Sequence, residues 1–102
     1  MTALRAGARL RSVTCTTEVI VVRTGTQEAD LRCGGQPMVE VTAQAQPLEI
    51  VAGWSDGTKV GKRYVYADLG LEVLCTRAGA GSLSVGTLPF TVAEPKPLPS
   101  SD

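Results

Sequence analysis

Val19-Ile20-Val21-Val22 is the stretch that most limits what this chain can fold into. Four β-branched residues in a row lose side-chain freedom in a helix and pack well on a pleated surface, so the run reads as a strand. Strand-length apolar segments recur at Met38 to Val41, Leu48 to Trp54, Val60 to Ala67, Leu71 to Cys75 and Ser82 to Val85, with a last short piece at Phe90 to Val92. Turn-forming residues separate them: Thr24-Gly25-Thr26, Gly34-Gly35-Gln36-Pro37, Asp56-Gly57, Asp68-Leu69-Gly70 and Ala78-Gly79-Ala80-Gly81. No segment carries the 3.6-residue period of a three-turn helix, so the pattern predicts a small antiparallel all-β domain built from hairpins.

Three hairpins are expected. Ala29 to Cys33 reads as the return strand of Val19 to Val22, giving an N-terminal ribbon over residues 13–41. Asp56-Gly57 is a strong hairpin signal between Leu48 to Trp54 and Val60 to Ala67, and Ala78 to Gly81 would fold Ser82 to Val85 back onto Leu71 to Cys75. These make two further hairpins over residues 48–92, joined to the ribbon by the polar stretch Thr42 to Pro47. Residues 1–12 are either a frayed helix or an edge strand. A single β domain is expected over 1–93, with 94–102 a Pro-rich flexible tail.

The chain has 102 residues, enough for one modest core, and only Trp54, Tyr64, Tyr66 and Phe90 are aromatic. Burial must therefore rest on Val, Leu, Ile and Ala. Ten basic and ten acidic residues balance to zero, which argues against a nucleic-acid binder that relies on a basic field. Zero net charge does not oppose self-association, so a homo-oligomer or a protein partner is expected. The start carries no apolar run of signal-peptide length and no stretch is long enough to span a bilayer, giving an expected cytoplasmic location without membrane association.

Three cysteines, Cys15, Cys33 and Cys75, are an odd number that suits reduced thiols better than a disulfide framework. Histidine is absent, which removes the commonest metal ligand and the usual general base. Cysteine and carboxylate chemistry is what remains. Free cysteines also serve as small buried hydrophobes, and a reactive thiol needs a lowered pKa. Arg32 beside Cys33 and Arg77 near Cys75 are the nearest cations in sequence, but neighbours on a strand point to opposite faces.

The run Cys15-x-x-Glu18, then Val19-Ile20-Val21-Val22, a Gly-bearing turn, and Leu31-x-Cys33-Gly34-Gly35-Gln36-Pro37-Met38 resembles the small iron-binding domain of desulforedoxin, which is also the N-terminal domain of desulfoferrodoxin. That family looks like Cys-x-x-Cys, an apolar strand, a Gly-rich turn and Leu-x-Cys-Cys-Gly-x-Pro-Met, with four thiolates on one iron. The resemblance covers about a quarter of the chain, roughly residues 13–39, and implies a dimer. Cys15 and Cys33 stand at two of the four ligand positions, while Glu18 and Gly34 replace the others, so the four-thiolate iron centre is not available. Superoxide reduction, which in that family needs a histidine-held iron, is set aside.

A metal site of Cys15, Cys33, Cys75 and Glu18, taking zinc or iron, is the most concrete expectation from these ligand types. The leading function is accordingly a small non-enzymatic accessory or binding protein. Two alternatives stay open: a redox-active thiol protein or electron carrier, and a metal-free structural interaction module. Gly79-Ala80-Gly81 has the look of a phosphate-binding Gly-x-Gly, yet a strand rather than a helix follows it, so a turn is the better reading. Lys59, Lys62 and Arg63 form a basic cluster that reads as a solvated face, and Trp54 as a partly buried plug.

Overall fold

A computed structural model describes residues 5–24 and 29–92. The Pro-rich tail expected at 94–102 lies outside the described residues. The chain is all-β, with ten short strands among the described residues: β1 (Arg9–Arg11), β2 (Glu18–Arg23), β3 (Leu31–Cys33), β4 (Gln36–Pro37), β5 (Val39–Glu40), β6 (Arg63–Tyr66), β7 (Leu71–Arg77), β8 (Leu83–Val85), β9 (Leu88–Pro89) and β10 (Thr91–Val92). They form two antiparallel sheets, one of six strands in the order β10-β6-β7-β2-β1-β5 and one of four in the order β4-β3-β8-β9. The N-terminal segment supplies a strand, β1, and it lies inside the larger sheet between β2 and β5.

The pairing differs from all three expected hairpins. β2 pairs with β1 and β7, while β3 pairs with β4 and β8, so the two halves of the expected 13–41 ribbon sit in different sheets. Leu71 to Cys75 and Ser82 to Val85 are both strands, again in different sheets. Leu48 to Trp54 forms no strand. The partner of β2 is decided by burial: Val19 and Val21 alternate with Leu71, Val73 and Cys75 of β7 in facing an interior where each is at most 2% exposed. Joining these two apolar faces removes more surface from water than a local return strand could, which favours the long-range pair.

Tight hairpins form elsewhere. Gly34 and Gly35 close β3 onto β4 with φ of 67° and 84°, the two successive left-handed residues that a two-residue turn with the right twist requires. Gly70, with φ of 63°, ends the 3₁₀ turn Ala67–Leu69 and delivers the chain from β6 into β7. Tyr64 and Tyr66 share a face as the alternation of β6 demands, Tyr64 buried and Tyr66 packed against Phe90 with ring centroids 6.0 Å apart.

The two sheets share one core, with Leu10, Val19, Val21, Leu71, Val73 and Cys75 from the larger and Leu31, Cys33 and Leu83 from the smaller. Between β5 and β6 the chain runs as a strap over the seam, fastened by single backbone bonds. Leu48 N–H donates to the Val13 carbonyl at 2.9 Å, Val51 N–H to Gly34 at 2.8 Å, and Ser82 N–H to Trp54 at 2.9 Å. Thr58, near the end of the strap, bridges to Gly79. No helix of the described residues is long and apolar enough to cross a membrane.

Candidate functional site

The strap, the loop from β1 to β2, the Gly34-Gly35 turn and the loop from β7 to β8 converge on two sulfur atoms. Cys15 lies in the β1–β2 loop and is half-buried; Cys33 ends β3 and is fully buried. Their Sγ atoms are 3.9 Å apart. Of the four residues expected to form a site, Cys15 and Cys33 are brought side by side, by two sheets closing on each other rather than by one ribbon.

Hydrogen-bond donors surround the Cys15 sulfur. Gly81 N–H donates to it at 3.3 Å, Thr17 Oγ1 lies 3.2 Å away and Ser12 Oγ 3.4 Å away. The loop from β7 to β8 can come this close only because it carries glycines. A Cβ on Gly79 would stand 2.6 Å from the Thr17 nitrogen and 2.9 Å from the Cys15 sulfur, and one on Gly81 would stand 3.1 Å from the Cys33 sulfur. The Gly79-Ala80-Gly81 segment thus serves as a backbone cradle for sulfur rather than for phosphate.

These contacts separate the two thiols chemically. Burial works against ionising Cys15, but the Ser12 and Thr17 hydroxyls and the Thr17 and Gly81 backbone N–H groups outweigh it and bring its pKa from 9.0 to about 6. Cys33 moves the other way: burial, and then the charge on Cys15 beside it, push it up to about 12. At neutral pH the pair is one thiolate and one thiol. Burial also raises Cys75, whose S–H donates to the Arg77 carbonyl at 3.2 Å.

The Ser12 hydroxyl is able to serve either state of Cys15. It accepts from Thr14 N–H at 3.0 Å and lies 2.8 Å from Thr14 Oγ1, which itself donates to the Cys33 carbonyl at 3.2 Å. With Cys15 neutral, its S–H points to Ser12 and the Ser12 proton to Thr14. With Cys15 ionised, the Ser12 proton turns to sulfur, and no buried polar atom loses its partner.

No family model, curated protein or solved structure matches the chain.

The expected four-ligand metal set is not assembled. Glu18 is engaged by Arg77 at 3.4 Å, and Cys75 is directed to a carbonyl of its own strand. Among the described residues, no three His, Cys, Asp or Glu side chains come together as a metal-binding group, whereas tetrahedral zinc or iron takes three or four. The donor set around Cys15 consists of hydroxyls and N–H groups, which stabilise a thiolate by hydrogen bonding and do not complete a zinc or iron shell.

Arg32, the nearest cation to Cys33 in sequence, pairs with Asp30 at 2.8 Å and faces away, as strand alternation requires. In the basic cluster, Lys59 and Lys62 are exposed and Arg63 pairs with Glu72 at 3.5 Å. A separate groove of about 350 Å³, lined by Trp54, Tyr64, Leu83 and Phe90 among others, carries none of the three thiols.

The shifted thiols make stability depend on pH. Between about 6 and 9.0 the unfolded chain holds a proton on Cys15 that the reduced fold does not, so this contribution is complete above 9.0 and is lost as pH falls through 6. Cys33 acts oppositely, its contribution standing below 9.0 and being lost as pH rises through 12. Urea unfolding of the reduced protein and of Cys15→Ser should show a stability difference that changes in favour of the wild type between pH 6 and 9. A difference that stays flat across that window would contradict the assignment.

Proposed function

We propose that this chain is a redox-active dithiol protein, with Cys15 the attacking thiolate and Cys33 the resolving thiol. The observation that carries the reading is the 3.9 Å sulfur pair, with an accessible member held among donors and a fully buried member held neutral. A thiolate is the nucleophile in disulfide exchange, and one with a pKa just below ambient pH combines full ionisation with retained nucleophilicity.

The proposed co-reactant is a disulfide, R–S–S–R. The Cys15 thiolate attacks one sulfur, the S–S bond breaks, RS⁻ leaves and takes a proton from water, and a mixed disulfide stands on Cys15. Burial, the larger cause of the raised Cys33 pKa, remains, but that step removes the second cause, the negative charge on Cys15. Cys33 then loses its proton to the second leaving RS⁻ as its sulfur attacks Cys15. The protein gives up two electrons and forms one S–S bond, while the co-reactant becomes two thiols. Forming the bond draws the sulfurs from 3.9 Å to about 2.05 Å.

The same cradle biases the equilibrium. Whatever stabilises the Cys15 thiolate stabilises the reduced state and raises the potential of the disulfide, so the oxidised protein should act as an oxidant toward thiols. Glutathione disulfide is a suitable probe. Mass analysis after its addition should show wild type losing two hydrogens, Cys33→Ser retaining one glutathione on Cys15, and Cys15→Ser unmodified. Modification of Cys15→Ser at the wild-type rate would overturn the reading.

A further inference from the structure

We infer that Thr58 is a positioning residue for this site, its hydroxyl turning the Thr17 proton onto the Cys15 sulfur. The inference rests on the dithiol reading and concerns what sets the reactivity of its nucleophile. Thr17 Oγ1 lies between the Cys15 sulfur at 3.2 Å and Thr58 Oγ1 at 2.8 Å, with the neutral Cys33 thiol a weaker acceptor beside them, and has one proton to give. If that proton went to Thr58, the sulfur would face a lone pair instead of a donor.

Thr58 settles the direction. Its oxygen accepts from Gly79 N–H at 3.1 Å, and its own proton has three acceptors within reach: Thr17 Oγ1 at 2.8 Å, the Gly79 carbonyl at 3.5 Å and the Cys75 sulfur. The carbonyl is at the limit of a hydrogen bond and a neutral thiol sulfur is a weak acceptor, so the Thr58 proton goes to Thr17. The Thr17 proton is then left for sulfur. The result is a directed chain, Gly79 N–H to Thr58 to Thr17 to Cys15, in which each donor polarises the next.

Water does not compete with this chain, because Thr17 is 0% exposed and Thr58 5% exposed. The titratable groups that bear on Cys15 are the thiols of Cys33 and Cys75. Cys75 keeps its own proton on the Arg77 carbonyl. Hydroxyl direction is thus a principal variable at the sulfur. Thr58 belongs to the strap, so the strap acts on a sulfur held by another loop through a residue that does not touch it.

The test is the pH dependence of Cys15 alkylation by iodoacetamide in the full chain. Thr58→Val keeps the side-chain shape and removes the hydroxyl; Thr58→Ser keeps the hydroxyl. The expected result is a midpoint raised by about one pH unit in Thr58→Val and unchanged in Thr58→Ser. Thr17→Val should raise it at least as far, and the Thr17→Val, Thr58→Val double variant no further than Thr17→Val alone, because the two act in series. Thr58→Ala gives the same reading if the valine variant does not fold.

A low wild-type midpoint that Thr58→Val leaves unmoved, or additive effects in the double variant, would overturn this inference alone. Iodoacetamide reads the charge on sulfur without needing Cys33. Failure of the protein to exchange with glutathione disulfide would therefore overturn the dithiol reading by a separate measurement. A wild-type midpoint near 9 would overturn both.

Discussion

Oxidation of Cys15 to Cys33 is expected to stabilise the fold by about 2–3 kcal/mol at pH 5, and by progressively less as pH rises toward 9. Two effects of opposite sign produce this. The cross-link closes a loop with a sequence separation of 18, which removes roughly 3 kcal/mol of chain entropy from the unfolded state. Strain from drawing the sulfurs together takes part of that back. Oxidation also abolishes the Cys15 thiolate, and with it a stabilisation of the reduced fold that grows between about pH 6 and 9. The entropy gain does not depend on pH and the thiolate loss does, so the gap between oxidised and reduced protein must narrow with rising pH. Urea midpoints of both forms at pH 5, 7 and 9 measure it. A gap that is constant or widens would mean that Cys15 is not held as a thiolate by the fold.

Gly79→Ala is expected to cost about 2–3 kcal/mol and to raise the Cys15 midpoint together. The added Cβ would stand 2.6 Å from the Thr17 backbone nitrogen, an atom that cannot rotate away as a side-chain end can. The loop from β7 to β8 must lift, loosening the Gly81 N–H bond to sulfur and the Gly79 N–H bond to Thr58. Stability and thiolate character would fall from one cause. Ala80→Ser, one residue along at an exposed position, should lie within about 0.5 kcal/mol of wild type and leave the midpoint unchanged. Loss of stability in Gly79→Ala without a change at Cys15 would show that the loop packs on the sulfur without stabilising its charge.

The positions of most strands were legible because alternation and β-branching report which face of a strand is buried. The expected strands Leu71 to Cys75 and Ser82 to Val85 correspond to β7 (Leu71–Arg77), two residues longer, and β8 (Leu83–Val85), one residue shorter. Which strands pair was not legible. Local signals favour a neighbour in sequence, and Asp56-Gly57 is such a signal, yet Gly57 at φ 89° lies in a strap in which Leu48 to Trp54 forms no strand to pair with β6. Leu48 to Trp54 looks like a strand by apolar content, but Leu48 and Val51 remain exposed and the segment is held at isolated points over the seam. The choice of β7 as partner to β2 depends on the summed burial of Val19, Val21, Val73 and Cys75, a quantity that no short window contains.

The site shows the same division. Cys15 and Cys33 were legible as candidate partners because they flank one β-rich stretch, and Cys75 and Glu18 were expected beside them because their atoms suit a metal. The groups that give Cys15 its character come from three separate stretches: Ser12 and Thr17 in its own loop, Thr58 in the strap, and the glycines at 79 and 81. Serine and threonine carry no spacing that marks them as donors to sulfur. One signal was present: Gly79-Ala80-Gly81 said that backbone approaches something closely, and sulfur was its object rather than phosphate.

The most direct measurement is the titration of the three cysteines in the reduced protein, followed by NMR of ¹³Cβ-labelled cysteine. The expected result is one resonance, Cys15, that titrates with a midpoint near 6, and a Cys33 resonance that remains that of a neutral thiol through pH 9. Three resonances titrating together near 9 would contradict it.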